Sequence, residues 1–121
     1  MILVDTSVWV DHLRTTVPQL QALLSSREVV SHPFVIGELA LGNLNDRTAV
    51  LYNMARLPGV VVARDLEVLA MVETFGLAGR GIGYVDAHLL AAARLTGCRL
   101  WTDDKRLNAA GLDLGVAYTA P

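Results

Sequence analysis

Short apolar runs rich in β-branched residues recur along this chain, and each is separated from the next by a stretch with helical spacing. That alternation constrains the fold more than any other feature. The runs are Ile2–Val4, Val29–Val30, residues 60–62, residues 99–102 and, more weakly, residues 116–118. Strands joined through helices run parallel, and a parallel sheet must be covered on both faces. The expected fold class is therefore α/β, a three-layer α/β/α sandwich around a central, mainly parallel sheet. Helices are expected at residues 6–14, 18–24, 34–41, 46–56, 65–75, 84–95 and 105–110. Thr6 or Ser7 is expected to cap the first and Asp65 the fifth. Pro58-Gly59 and Gly97 supply stop signals. With 121 residues and no repeat, linker or low-complexity stretch, a single domain over residues 1–121 is expected.

Composition removes several classes of function. Hydrophobic residues at 53% and charged residues at 18% exclude a disordered chain. No run of about 18 uncharged apolar residues occurs, so no membrane span is expected. Asp5 and Asp11 break the opening segment, which is not the pattern of a signal peptide. The lone Cys98, between Gly97 and Arg99, cannot form an internal disulfide and is expected to be a buried thiol, in keeping with a reducing cytoplasm. A formal charge of −2 gives no overall attraction to a polyphosphate, so any nucleic-acid binding must come from local features.

In an open parallel sheet, ligands bind outside the carboxyl ends of the strands, and acids found there are candidates for chemistry. Asp5 follows three apolar residues directly, where an unpaired buried charge is costly. Glu38 lies inside FVIGELALG, with Phe34, Val35, Leu41 and Gly42 as its helical neighbours, so it falls on an apolar stripe. Asp86 opens a helix whose same-face neighbours are Leu89, Leu90 and Ala93. Asp103 and Asp104 are adjacent in RLWTDDKRL, and only one can enter a strand-end cleft. Asp104 is expected to be that one, leaving Asp103 as a supporting or capping residue.

Four converging carboxylates repel by about 4 kcal/mol per close pair at 4 Å and an effective dielectric near 20. A divalent cation relieves this more completely than protonation does. Acid oxygens without Cys or paired His select Mg²⁺, with Mn²⁺ as the alternative. His12, His32 and His88 show no spacing of paired metal ligands and are expected to be structural or surface residues. A hard cation in such a site activates water, orients phosphate oxygens and stabilises a leaving alkoxide, which is phosphodiester hydrolysis.

With these motifs in their order and spacing, ILVDTSVWVD, FVIGELALG, GYVDAHLLAAA and LWTDDKRL with its T-x-D-x-x-L pattern, the whole chain resembles the PIN-domain ribonucleases. Within them it resembles the VapC toxins of toxin-antitoxin pairs. The resemblance implies a metal-dependent endoribonuclease with Asp5, Glu38, Asp86 and Asp104 as an acidic quartet around Mg²⁺ or Mn²⁺. It aligns Asp104, not Asp103, with the acid of T-x-D-x-x-L. Thr6, Ser7 and Thr102 match hydroxyl positions that support the quartet. A homodimer and inhibition by a VapB-type antitoxin whose tail fills the toxin groove are also implied. Because the chain is acidic, an RNA path needs local arginines, and Arg80 in GRGIG is the first candidate. Rival readings fit less well. An aspartyl phosphatase wants a second Asp where Ser7 stands, a receiver wants an Asp where Val62-Ala63 stands, and a serine hydrolase wants a G-x-S-x-G elbow. A PIN-like binding module without activity would not be expected to keep all four acids.

Overall fold

The structure is a computed structural model that describes residues 1–119. Its sheet has three parallel strands in the order β2-β1-β3: β1 (Ile2–Val4), β2 (Val29–Val30) and β3 (Arg99–Trp101). Ile2 and Leu3 stand opposite Val29 and Val30 on one side. On the other side Ile2, Leu3 and Val4 stand opposite Arg99, Leu100 and Trp101. β1 is apolar throughout because it is the central strand, and Leu3 and Val4 are fully enclosed. Burial of each such side chain contributes about 1.5–3 kcal/mol relative to exposure.

The helices that cover the sheet are α1 (Thr6–Arg14), α2 (Pro18–Ser25), α3 (Pro33–Leu41), α4 (Arg47–Ala55), α5 (Asp65–Thr74), α6 (Tyr84–Thr96) and α7 (Lys105–Leu114). The parallel sheet with helices on its faces bears out the three-layer α/β/α expectation. α6 is buried continuously from Ala87 to Ala93, and its small Ala91-Ala92-Ala93 segment permits close approach to the sheet. It ends at Gly97, whose φ of +75° suits the left-handed cap.

The two weakest strands contract. Residues 60–62 are not a strand: one parallel bridge joins Ser31 to Gly59, made by Ser31 N–H on Pro58 O and Val60 N–H on Ser31 O. Val61 N–H then turns away to Thr96 Oγ1, and Val61 and Val62 are exposed. Residues 116–118 likewise reduce to a bridge between Leu100 and Ala117. Both segments lie at the outer edges, where only one neighbour offers hydrogen bonds.

Three helix expectations also change. Asp5, not Thr6 or Ser7, is the N-cap of α1 and accepts from Thr6 N–H. Asp65 is the first residue of α5, with Arg64 before it as N-cap, whose N–H donates to Glu67. α7 runs four residues beyond the expected 105–110, to Leu114.

Candidate active site

Asp5, Asp86 and Asp104 are each placed by an element boundary, and Glu38 by the body of α3. Asp5 ends β1 and caps α1, and it is buried. Its Oδ1 accepts from Thr6 N–H at 2.7 Å, while its Oδ2 accepts from Thr102 Oγ1 at 2.7 Å and Ser7 Oγ at 3.1 Å. Those donors satisfy the oxygens of Asp5 in its buried position. Asp104, just after β3, caps α7 by accepting from Arg106 N–H and Leu107 N–H at 2.9 and 3.0 Å, all on Oδ1. Thr102 ties the two strand ends together, since its Oγ1 donates to Asp5 and accepts from Asp104 N–H.

Glu38 projects from α3, and its Oε1 accepts from Thr6 Oγ1 at 2.7 Å. Asp86 lies in the first turn of α6, and its Oδ2 accepts from Gly83 N–H at 3.0 Å. Burial pushes the Asp86 carboxyl above the ordinary carboxylate range; the Gly83 amide opposes that, and the charges of Asp5, Asp104 and Glu38 add to the rise. The four acids therefore share one electrostatic neighbourhood although they are 33, 48 and 18 residues apart along the chain (38 − 5, 86 − 38, 104 − 86).

A common pattern links three of them. Glu38, Asp86 and Asp104 each have one oxygen pinned by a protein donor, while Oε2, Oδ1 and Oδ2 respectively accept no hydrogen bond among the described residues. The donors fix orientation and leave oxygens for something else. As they stand, no three His, Cys, Asp or Glu side chains among the described residues gather closely enough to cage an ion. The donor set is nonetheless all oxygen, which fits a hard divalent cation, and mutual repulsion keeps uncompensated carboxylates apart. Cys98 is buried elsewhere, and His32 and His88 are committed to the interior. A cleft of about 450 Å³ lies beside Glu38 and not over all four, between α1, α3 and α4.

The sequence matches the PIN domain family over residues 2–112. The chain belongs to the PIN-domain family. This PIN domain is also 51% identical over 118 residues, 97% of its own length and 95% of the relative's, to Ribonuclease VapC32 of Mycobacterium tuberculosis, the same in strains CDC 1551 / Oshkosh and ATCC 25618 / H37Rv. It is a PIN domain of the VapC type. Solved structures share its fold. FitAcB from Neisseria gonorrhoeae is 22% identical with a TM-score of 0.64, over 97% of this chain and 95% of that one. PAE2754 from Pyrobaculum aerophilum is 21% identical with a TM-score of 0.60, over 90% and 78%.

Of the supporting residues expected in this PIN domain, Thr6, Ser7 and Thr102 all touch the acids. Asp103 does not cap α7; its N–H donates to Ser7 Oγ, and its carboxyl sits beside Asp11. Burial raises the Asp103 carboxyl above its usual range, with the Asp11 hydrogen bond and charge adding to it. Arg80 is held by Asp113 of α7, Nη1 to Oδ2 at 2.7 Å. Sequence reasoning passed over Asp11 and Arg106. Asp11 looked like any exposed helical acid, and the placement of Arg106 depends on a glycine 25 residues earlier (106 − 81).

Proposed function

We propose that this PIN domain is a metal-dependent endoribonuclease of the VapC toxin kind, cleaving RNA phosphodiester bonds and held in check by a cognate VapB-type antitoxin. The observation that carries the reading is the trio of free carboxylate oxygens beside Asp5, each opposite an oxygen pinned by a hydroxyl or amide. The 51% identity to a protein named Ribonuclease VapC32 supports it. Asp5, Glu38, Asp86 and Asp104 would hold Mg²⁺, or Mn²⁺ in its place. When bound, the cation supplies an activated water and neutralises charge on the phosphate.

The chain's own residues do the rest. Thr102 and Ser7 hold Asp5 in one rotamer, Thr6 orients Glu38, and the α7 amides orient Asp104. Such partners behind ligands are typically worth about 10 to 100-fold in affinity or activity. Arg80 would contact RNA by exchanging Asp113 for phosphate. The cleft beside Glu38, lined by Val10, Leu13, Leu39 and Val50, suits the apolar side chains of an antitoxin tail. Exposed Leu66 and Leu69 of α5 support a homodimer through apolar contact. No described helix is long and apolar enough to cross a membrane, and a cytoplasmic enzyme made of one domain belongs to the same reading.

The test is RNA cleavage by the purified chain in Mg²⁺ or Mn²⁺, with and without chelator, beside Asp5→Asn. The native protein is expected to leave 5′-phosphate and 3′-hydroxyl ends, and chelation or the substitution to stop it. Ends bearing a 2′,3′-cyclic phosphate, or equal cleavage by the variant, would overturn the reading.

A further inference from the structure

Among the described residues most basic side chains are committed. Arg64 pairs with Glu67 and Arg80 with Asp113. Arg56 and Arg94 lie over the Tyr52 and Phe75 rings. Arg47 and Arg99 donate to the Gly42 and Ala117 carbonyls. Arg14, Arg27, Lys105 and Arg106 make no side-chain ion pair or hydrogen bond among the described residues, and of these the exposed Arg106 is singled out by its seat against Gly81.

Its position is nevertheless defined at both ends. Its N–H donates to Asp104 Oδ1, so its backbone is fixed to one acid of the site. Its side chain lies across Gly81, where a Cβ would fall 2.7 Å from Nη1, 2.9 Å from Cδ and 3.2 Å from Cζ. Gly81 has a φ of +78°, a conformation that favours glycine, so the loop conformation and the open seat have the same cause. Two residues further on, Gly83 N–H holds Asp86. The Arg106 side chain therefore runs from the amide on Asp104 to the loop that leads into Asp86.

We propose that Arg106, seated on Gly81, anchors a phosphate of the RNA strand next to the acidic site. This rests on the ribonuclease reading above. A strand approaching four carboxylates is repelled, and the chain carries a formal charge of −2, so attraction must be supplied locally. An arginine fork presents paired N–H donors to phosphate oxygens, and Arg106 has no internal partner to give up first. Arg80, by contrast, must break its bond to Asp113.

The experiment measures binding of a labelled single-stranded RNA to the full chain in EDTA at several salt concentrations, together with cleavage in Mg²⁺. The proteins are native, Arg106→Ala, Arg106→Lys, Gly81→Ala and, as a control in the turn before β2, Arg27→Asn. Arg106→Ala is expected to weaken binding about ten-fold. It is also expected to flatten the slope of log affinity against log salt by about 0.7, the value for one phosphate contact on a single strand. Arg106→Lys should restore the slope but not all the affinity. Gly81→Ala should show the same loss with the arginine present, and Arg27→Asn should match native. An unchanged slope and affinity in Arg106→Ala overturns the proposal, as does a fall in thermal stability with the slope intact, which marks Arg106 as a clamp for the loop. Failure of the native chain to cut RNA would sink the enzyme reading separately, because the EDTA measurement does not depend on cleavage.

Discussion

α6 carries two polar clusters, and they are opposites. Asp86, in its first turn, meets three other acids at a half-open edge and keeps an oxygen free. His88, two residues later, lies in the interior against His32, Phe34 and Tyr84. Its Nε2 faces Asp65 Oδ1 at 3.0 Å, and Tyr84 O–H donates to the same oxygen at 2.8 Å. In the first cluster like charges are gathered and the unmet demand points outward. In the second, His32 Nδ1 accepts from Phe34 N–H, which puts the ring proton on Nε2. His32 Nε2 and His88 Nδ1 are both buried without a partner, with ring centroids 6.5 Å apart. On the proposed reading the acidic cluster is the site and the histidine cluster is framework.

Substitution of Asp86 should break the contrast most strongly. Asp86→Asn keeps the acceptor for Gly83 N–H but removes a negative charge that burial and the charges of Asp5, Asp104 and Glu38 disfavour. Cleavage is expected to fall more than about 100-fold, beyond the loss from a partner behind a ligand. Stability at neutral pH should rise, and the sign follows from linkage. A carboxyl raised in the folded state costs stability as pH climbs through its folded value, and Asn has no such cost. Thermal melts of the metal-free proteins at pH 7 read the gain, and a loss of stability would count against mutual repulsion.

His32 comes next. Burial, with the charge of His88 adding to it, lowers its pKa from 6.5 to about 4. A lowered histidine is bound by fewer protons in the folded state, so its contribution is present above pH 6.5 and is lost as pH falls from 6.5 toward 4. Denaturant titrations should therefore show declining stability across that window. His32→Asn, whose Oδ1 can accept from Phe34 N–H in place of Nδ1, should flatten the decline. The smallest effect is expected from His88→Phe. It removes an unpaired buried nitrogen together with the bond to Asp65, so stability should change by less than about 1.5 kcal/mol and cleavage should be retained. A large loss of activity there would place the histidines in the site and erase the distinction between the clusters.

The acidic cluster was more legible in sequence than the framework one. Asp5 and Asp104 stand out because a charge follows an apolar strand, and Glu38 because it interrupts an apolar helix. Those are local violations of burial, visible without tertiary information. The Asp65–Tyr84–His88 contact joins α5 to α6, and nothing near Asp65 in the sequence distinguishes it from an ordinary cap. Caps were misassigned at α1 because Asp5, Thr6 and Ser7 all have suitable oxygens, and only the geometry gives Thr6 to Glu38 and Ser7 to Asp5. The valines at 60–62 read as strand on β-propensity, yet a strand needs a partner along its length and Ser31 supplies one residue of it.

Cation binding tests the central claim most directly. Thermal melts of the native chain and of Asp5→Asn are recorded across a Mn²⁺ titration without RNA. If the free oxygens of Glu38, Asp86 and Asp104 await a divalent ion, Mn²⁺ raises the native melting temperature, with a stabilisation of about 2.7 kcal/mol at a hundred-fold excess over Kd, and the variant responds weakly. Identical, flat titrations for both proteins would contradict it.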